Sequence, residues 1–185
     1  FSYDNFFGFS LTGDGNYLLC GYTGSIGANR EGALLYKINT TGSIVWQKII
    51  QHTLIDHTHK LLENYEGAYY AAGHTQPAGS SNGAMWVVKM DSAQNILWDS
   101  TYSSPNVTEH IHDAELTPDG GLIVLGHSYD NSFLVYRLAK IDKNGKLQWS
   151  KKYGTMSNLG DTPYEVRITS HGNYGMFGSS EAGPG

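Results

Sequence analysis

Cysteine is almost missing from this chain, with one in 185 residues. A single thiol excludes an intramolecular disulfide and any zinc cluster built on cysteine. Basic residues are also scarce, 12 Lys and Arg against 17 Asp and Glu, for a formal net charge of −5. That balance argues against a nucleic-acid binder, which needs a basic stripe. No apolar run approaches the ~20 residues of a membrane-spanning helix. Charged residues make up only 16% of the chain, and there are five prolines. Abundant instead are 23 glycines, 13 tyrosines, six phenylalanines and four tryptophans. Glycine and aromatics with few charges point to an all-β chain. The length suits one domain able to bury a core.

The glycines are ordered by a repeat. Gly15-Asn16-Tyr17-Leu18-Leu19-Cys20-Gly21 recurs as Gly67-Ala68-Tyr69-Tyr70-Ala71-Ala72-Gly73. It recurs again as Gly121-Leu122-Ile123-Val124-Leu125-Gly126 and as Gly172-Asn173-Tyr174-Gly175-Met176-Phe177-Gly178. The closing glycines are 52, 53 and 52 residues apart. A second anchor keeps step: KINTTGSIVW ends at Trp46, KMDSAQNILW at Trp98 and KIDKNGKLQW at Trp149, with spacings of 52 and 51. Two independent anchors sharing one period argue strongly against chance similarity.

Each unit reads as four short strands separated by Gly/Asn/Asp/Ser clusters. In the second unit these are His57–Asn64, Ala68–Ala72, Ala84–Met90 and Asn95–Tyr102. No segment holds a helical period, so essentially no helix is expected. Four antiparallel strands repeated about every 52 residues predict the blades of a β-propeller. The boundaries are 1–51, 52–103, 104–155 and a half unit at 156–185, about 3.5 blades. That count predicts a piece of a longer protein, with the ring completed by further blades of the same or another chain. Trp46, Trp98 and Trp149 are expected to dock between blades. The closing glycines are expected to allow a close backbone approach or a turn with positive φ.

Two stretches carry a family resemblance: Asp119-Gly120-Gly121-Leu122-Ile123-Val124-Leu125-Gly126 and Lys140-Ile141-Asp142-Lys143-Asn144-Gly145-Lys146-Leu147-Gln148-Trp149. They resemble the bacterial and archaeal extracellular propeller repeats of "DGGYIVAG…KxDxxGxxxW" type, found among type IX-secreted surface proteins of Bacteroidota. The resemblance implies an exported, extracellular or cell-surface protein, and no particular activity.

Histidine is the most pointed chemical feature. Seven of eight lie between positions 52 and 127. Asp56-His57-Thr58-His59 and Glu109-His110-Ile111-His112 hold the same place in consecutive units. His74 and His127 each follow a closing glycine. In a strand, residues i and i+2 share a face, so each H-x-H pair can converge on one ion. His57, His59, His110 and His112 with Asp56 and Glu109 form a candidate divalent-metal set, for Zn²⁺ or Ca²⁺, and the imidazoles also suit Cu²⁺ and Ni²⁺. The opposing reading is packing, because His59 and His112 correspond to Phe7 and Tyr164, and His74 and His127 to Tyr22 and Ser179. The second candidate set is a ligand surface of Tyr22, His74, His127 and Tyr129 on loops at one rim, fit for a protein or glycan partner. The recurring acids Asp4, Asp56, Glu109 and Asp161 read as turn residues that accept backbone N–H bonds.

The first strand of each unit should line a wet central channel with Lys60, Asp113, Glu115, Glu165 and Arg167 as paired charges. A catalytic pair at Asp113 and Glu115 has no supporting motif. No serine-hydrolase elbow context, phosphate loop or nucleotide fingerprint is read, and Cys20 reads as a small buried hydrophobe. Three functions follow: a non-catalytic interaction scaffold, a metal-binding or lyase- or hydrolase-type propeller with a histidine rim, and a structural part of a larger surface assembly. The first is favoured.

Overall fold

The computed structural model describes residues 3–25, 30–76, 79–130, 133–154 and 162–179. The chain is all-β, and no helix occurs among these residues; none, therefore, is long and apolar enough to cross a membrane. The first sheet holds β1 (Asp4–Leu11), β2 (Tyr17–Thr23), β3 (Gly32–Ile38) and β4 (Ile44–Ile50). The second holds β5 (Asp56–Glu63), β6 (Tyr69–Thr75), β7 (Ala84–Met90) and β8 (Ile96–Tyr102). The third holds β9 (Thr108–Leu116), β10 (Leu122–Asp130), β11 (Phe133–Ile141) and β12 (Leu147–Tyr153). The fourth pairs β13 (Thr162–Ile168) with β14 (Tyr174–Ser179). Within each sheet the strands are antiparallel and in sequence order.

The motif turns follow from local chemistry. Between β3 and β4, Asn39 Oδ1 accepts the N–H groups of Thr41 and Ser43. Between β11 and β12, Asp142 Oδ1 does the same for Asn144 and Lys146. Such a turn needs a residue at positive φ, supplied by Gly42 (83°) and Gly145 (84°). The second unit has no glycine there and uses Gln94 at 62°. Trp46, Trp98 and Trp149 pack against the apolar layers between successive sheets. Trp98 donates its indole N–H to the Lys143 carbonyl at 3.1 Å.

Three apolar layers join the sheets. Leu18, Cys20, Ala33, Leu35 and Ile50 of the first sheet meet Leu61, Tyr69, Ala71, Trp86, Val88 and Met90 of the second. Tyr70, Ala72, Met85, Val87 and Tyr102 meet Ile111, Ala114, Leu122, Val124, Ala139 and Ile141. Ile123, Leu125 and Leu138 meet Val166. A sheet buried on both faces cannot alternate cleanly between apolar and polar residues, which explains the near-continuous apolar runs of β6, β7 and β10.

The four first strands share a second feature. Each carries a β-bulge opposite the closing glycine: Thr58 pairs with Gly73 and Lys60 with Ala72, leaving His59 as the extra residue. Phe7, His112 and Tyr164 are the extra residues in the other three units. A bulge re-aims a side chain. All four bulged residues line one cavity of about 410 Å³, along with Phe9, Lys60, Asp113, Glu165 and Arg167.

β6 and β10 run further past their closing glycines than expected. β6 continues through Thr75 and β10 through Asp130. His74 and His127 are therefore strand residues and not loop residues, as are Tyr22 on β2 and Tyr129 on β10. Ser128 is buried and donates to Glu109 at 3.0 Å, which holds it in the sheet.

Candidate functional site

Cross-strand pairing sets the histidines side by side. His57 lies opposite His74, and His110 opposite His127. Between sheets, His74 stacks on His110 with ring centres 3.8 Å apart, and Tyr22 stacks on His57 at 3.9 Å. His59 stacks on Phe7 at 4.7 Å. The result is a belt of half-buried rings running across three sheets at one end of the molecule. Five imidazoles close a loop within it: His59 to His74 at 5.4 Å, His74 to His110 at 3.8 Å, His110 to His127 at 4.9 Å, His127 to His112 at 4.8 Å, and His112 to His59 at 5.6 Å.

Burial, with like-charge neighbours in support, disfavours the imidazolium form. The pKa falls to about 3 at His59 and His127 and about 4 at His110. His74 and His112 are lowered too, first by burial. At neutral pH these rings are neutral, each with one lone pair to offer. His112 Nε2 and His127 Nδ1 approach to 2.6 Å and share one proton between them. His59 Nε2 and His74 Nδ1 are buried with no hydrogen-bond partner.

The two carboxylates grouped with these histidines belong to another layer. Side chains alternate along a strand, so Asp56 and Glu109 point to the face opposite His57 and His110. Asp56 accepts the N–H groups of His52 at 2.6 Å and Thr53 at 2.8 Å, plus the Thr75 hydroxyl at 2.5 Å. Glu109 accepts from Ser104 N–H at 2.8 Å and from Ser128, and is ion-paired with Arg137. Both act as turn acceptors, which corrects the six-residue metal set. Among the described residues, no three His, Cys, Asp or Glu side chains stand around one point as a metal requires. Asp161 lies outside the described residues.

One carboxylate missed by sequence reasoning does reach the belt. Glu31 bonds His57 Nε2 at 2.5 Å and accepts the Tyr3 hydroxyl at 2.8 Å. Its counterpart in the second unit is Gly83, where an added Cβ would come within 2.6 Å of His110 Nε2. Glu31 stands where the repeat is irregular, so no periodic signal marked it. Tyr129 is 46% exposed, two residues beyond His127, and takes no part in the ring contacts among the described residues.

The charges at the cavity are paired. Asp113 accepts from Lys60 at 2.8 Å, from Arg167 at 3.3 Å and from the Val166 N–H at 3.0 Å. Glu115 accepts the Ile168 N–H at 2.5 Å. These acids tie β9 to β13. Gly79-Ser80-Ser81-Asn82-Gly83 does spell G-x-S-x-G, but it joins β6 to β7 with no helix after it, and so is no nucleophile elbow.

Cys20 is fully buried between the first two sheets, and burial raises its thiol to about 12. Native protein at pH 8 is expected to show no reaction with a disulfide reagent, and one equivalent of thiol after unfolding. Rapid native labelling would contradict the burial.

No protein-family model matches the chain, and no curated protein does either.

Proposed function

We propose that the chain is an arc of a β-propeller in an exported, cell-surface protein, serving as a non-catalytic scaffold that holds a protein or glycan partner at its ring-lined rim. The observation that carries this reading is the belt from Tyr22 to His127, fixed on strands of three sheets and flanked by the exposed rings of Tyr3 and Phe7. Rigid aromatic and imidazole faces supply contact area at little entropic cost. Asp113 and Glu115 are held by backbone N–H groups, and Asp113 also by cations, which favours a structural role for this acid pair.

Further sheets in the ring are supported by the first sheet's outer face. Phe6 and Phe9 are 49% and 57% exposed there, whereas their counterparts Thr58 and Leu61 are 0% and 1% exposed against the preceding sheet. A face built on the same repeat is matched to the same kind of neighbour.

The test is binding of immobilised protein to a glycan array and to candidate surface proteins. A ligand retained by wild type should bind at least tenfold more weakly to the Tyr3→Ala, Phe7→Ala double variant. Turnover of a glycoside, ester or peptide substrate that disappears in Asp113→Asn would replace the scaffold reading with an enzyme.

A further inference from the structure

We propose that His59, His74, His110, His112 and His127 form a site for one first-row transition-metal ion of the Zn²⁺, Ni²⁺ or Cu²⁺ class, held by three or four of the five imidazoles. The site lies in the layer between the second and third sheets. It uses rings of the same belt on which the scaffold reading rests, but metal uptake and partner binding are read out separately.

The loop of rings brings five potential nitrogen donors together with neighbouring centres 3.8–5.6 Å apart. Packing alone does not account for them. The same repeat fills equivalent positions with Phe7, which has no polar atom to satisfy, with Ser179, and with Tyr164 and Tyr22, whose hydroxyls meet Ser179 Oγ and Asn5 Nδ2. Imidazole takes these places only in the second and third units.

Two atoms record a cost. His59 Nε2 and His74 Nδ1 are buried without partners, and leaving a buried polar group unsatisfied is destabilising. Native interiors hold few such groups, and an ion is one of the recognised explanations for those that remain. His112 and His127 already point two nitrogens at each other at 2.6 Å. An ion would take the place of the shared proton.

The nitrogens do not yet focus on one point. Rotation of an imidazole by a half-turn about χ2 exchanges nitrogen for carbon at unchanged volume, and this torsion is soft and two-fold. His59 and His112 border the cavity, which leaves room for that motion. An all-nitrogen donor set selects Zn²⁺, Ni²⁺ or Cu²⁺. Calcium and magnesium require oxygen ligands, and Asp56 and Glu109 face the other way, so Ca²⁺ is not the ion.

The experiment is equilibrium dialysis of the chelator-treated chain against Zn²⁺, with elemental analysis, and titration with Co²⁺ followed by visible absorption. About one ion per chain and a four- or five-coordinate Co²⁺ spectrum are expected, with no uptake of Ca²⁺. The His59→Phe, His110→Asn, His112→Tyr triple variant borrows residues the repeat itself uses, leaves only two of the five imidazoles, and should fold while binding Zn²⁺ at least tenfold more weakly. His52→Ala and His171→Ala lie outside the loop and should bind as wild type. Substoichiometric Zn²⁺ in wild type overturns the proposal without reference to any variant. So does unchanged affinity in the triple variant, or loss of affinity in His171→Ala.

Discussion

Gly126→Ala is expected to destabilise the protein by at least about 3 kcal/mol, the upper part of the overpacking range. A Cβ at Gly126 would lie 1.8 Å from the carbonyl oxygen of His110. The same collision recurs at Gly21 with Asn5, at Gly73 with His57 and at Gly178 with Thr162, at 1.8, 2.0 and 2.4 Å. In every case the obstacle is backbone of the paired first strand, which cannot swing aside as a flexible side chain would. The bulge causes this: by inserting one residue in the first strand, it pushes the preceding peptide over the closing glycine. Gly42→Ala is the control. Gly42 sits at φ 83° with nothing within 4 Å of an added Cβ, so only the left-handed strain of about 1 kcal/mol applies. Urea denaturation of both variants separates the two mechanisms. Equal destabilisation would show that the first strand yields, and the close-approach account of the repeat's glycines would fail.

Much of this was legible in the sequence. The strands of the second unit are placed within a residue or two at most ends, because turn chemistry at Asn64, Asp91 and the glycines marks their limits. The tryptophan positions and the inter-sheet layers also follow from period and apolarity. Two features were hidden for physical reasons. A bulge present in all four units leaves the spacing of the anchors unchanged, so no count of residues reveals that Phe7, His59, His112 and Tyr164 are extra. The extension of β10 through Ser128 to Asp130 was masked by residues that ordinarily make turns; a buried carboxylate, Glu109, satisfies the Ser128 hydroxyl and keeps the strand going. The misgrouping of Asp56 with His57 was avoidable, since adjacent residues of a strand face opposite sides. Of the candidate site, then, the membership of the imidazole cluster was readable, while its closure into a loop across two sheets depended on register and on the bulges.

The same cluster makes the fold sensitive to mild acid. His59, His110 and His127 titrate at about 3, 4 and 3 in the folded chain, chiefly because burial opposes the charged form. In the unfolded chain they return to about 6.5. The unfolded state therefore binds more protons below pH 6.5, and stability falls as pH falls. Full stability is present above pH 6.5 and is lost progressively towards pH 3–4. At pH 5 each of these histidines costs about 2 kcal/mol relative to pH 8, and the three together about 6. That is comparable with the 5–15 kcal/mol of an ordinary domain. His74 and His112 act in the same direction. Urea midpoints in chelator should fall sharply from pH 7.5 to pH 5 in wild type. In His59→Phe, which keeps the ring stacked on Phe7, the loss over that range should be smaller by about 2 kcal/mol. A wild-type midpoint that does not move between those pH values would mean the imidazoles are far better solvated than their packing between the sheets allows.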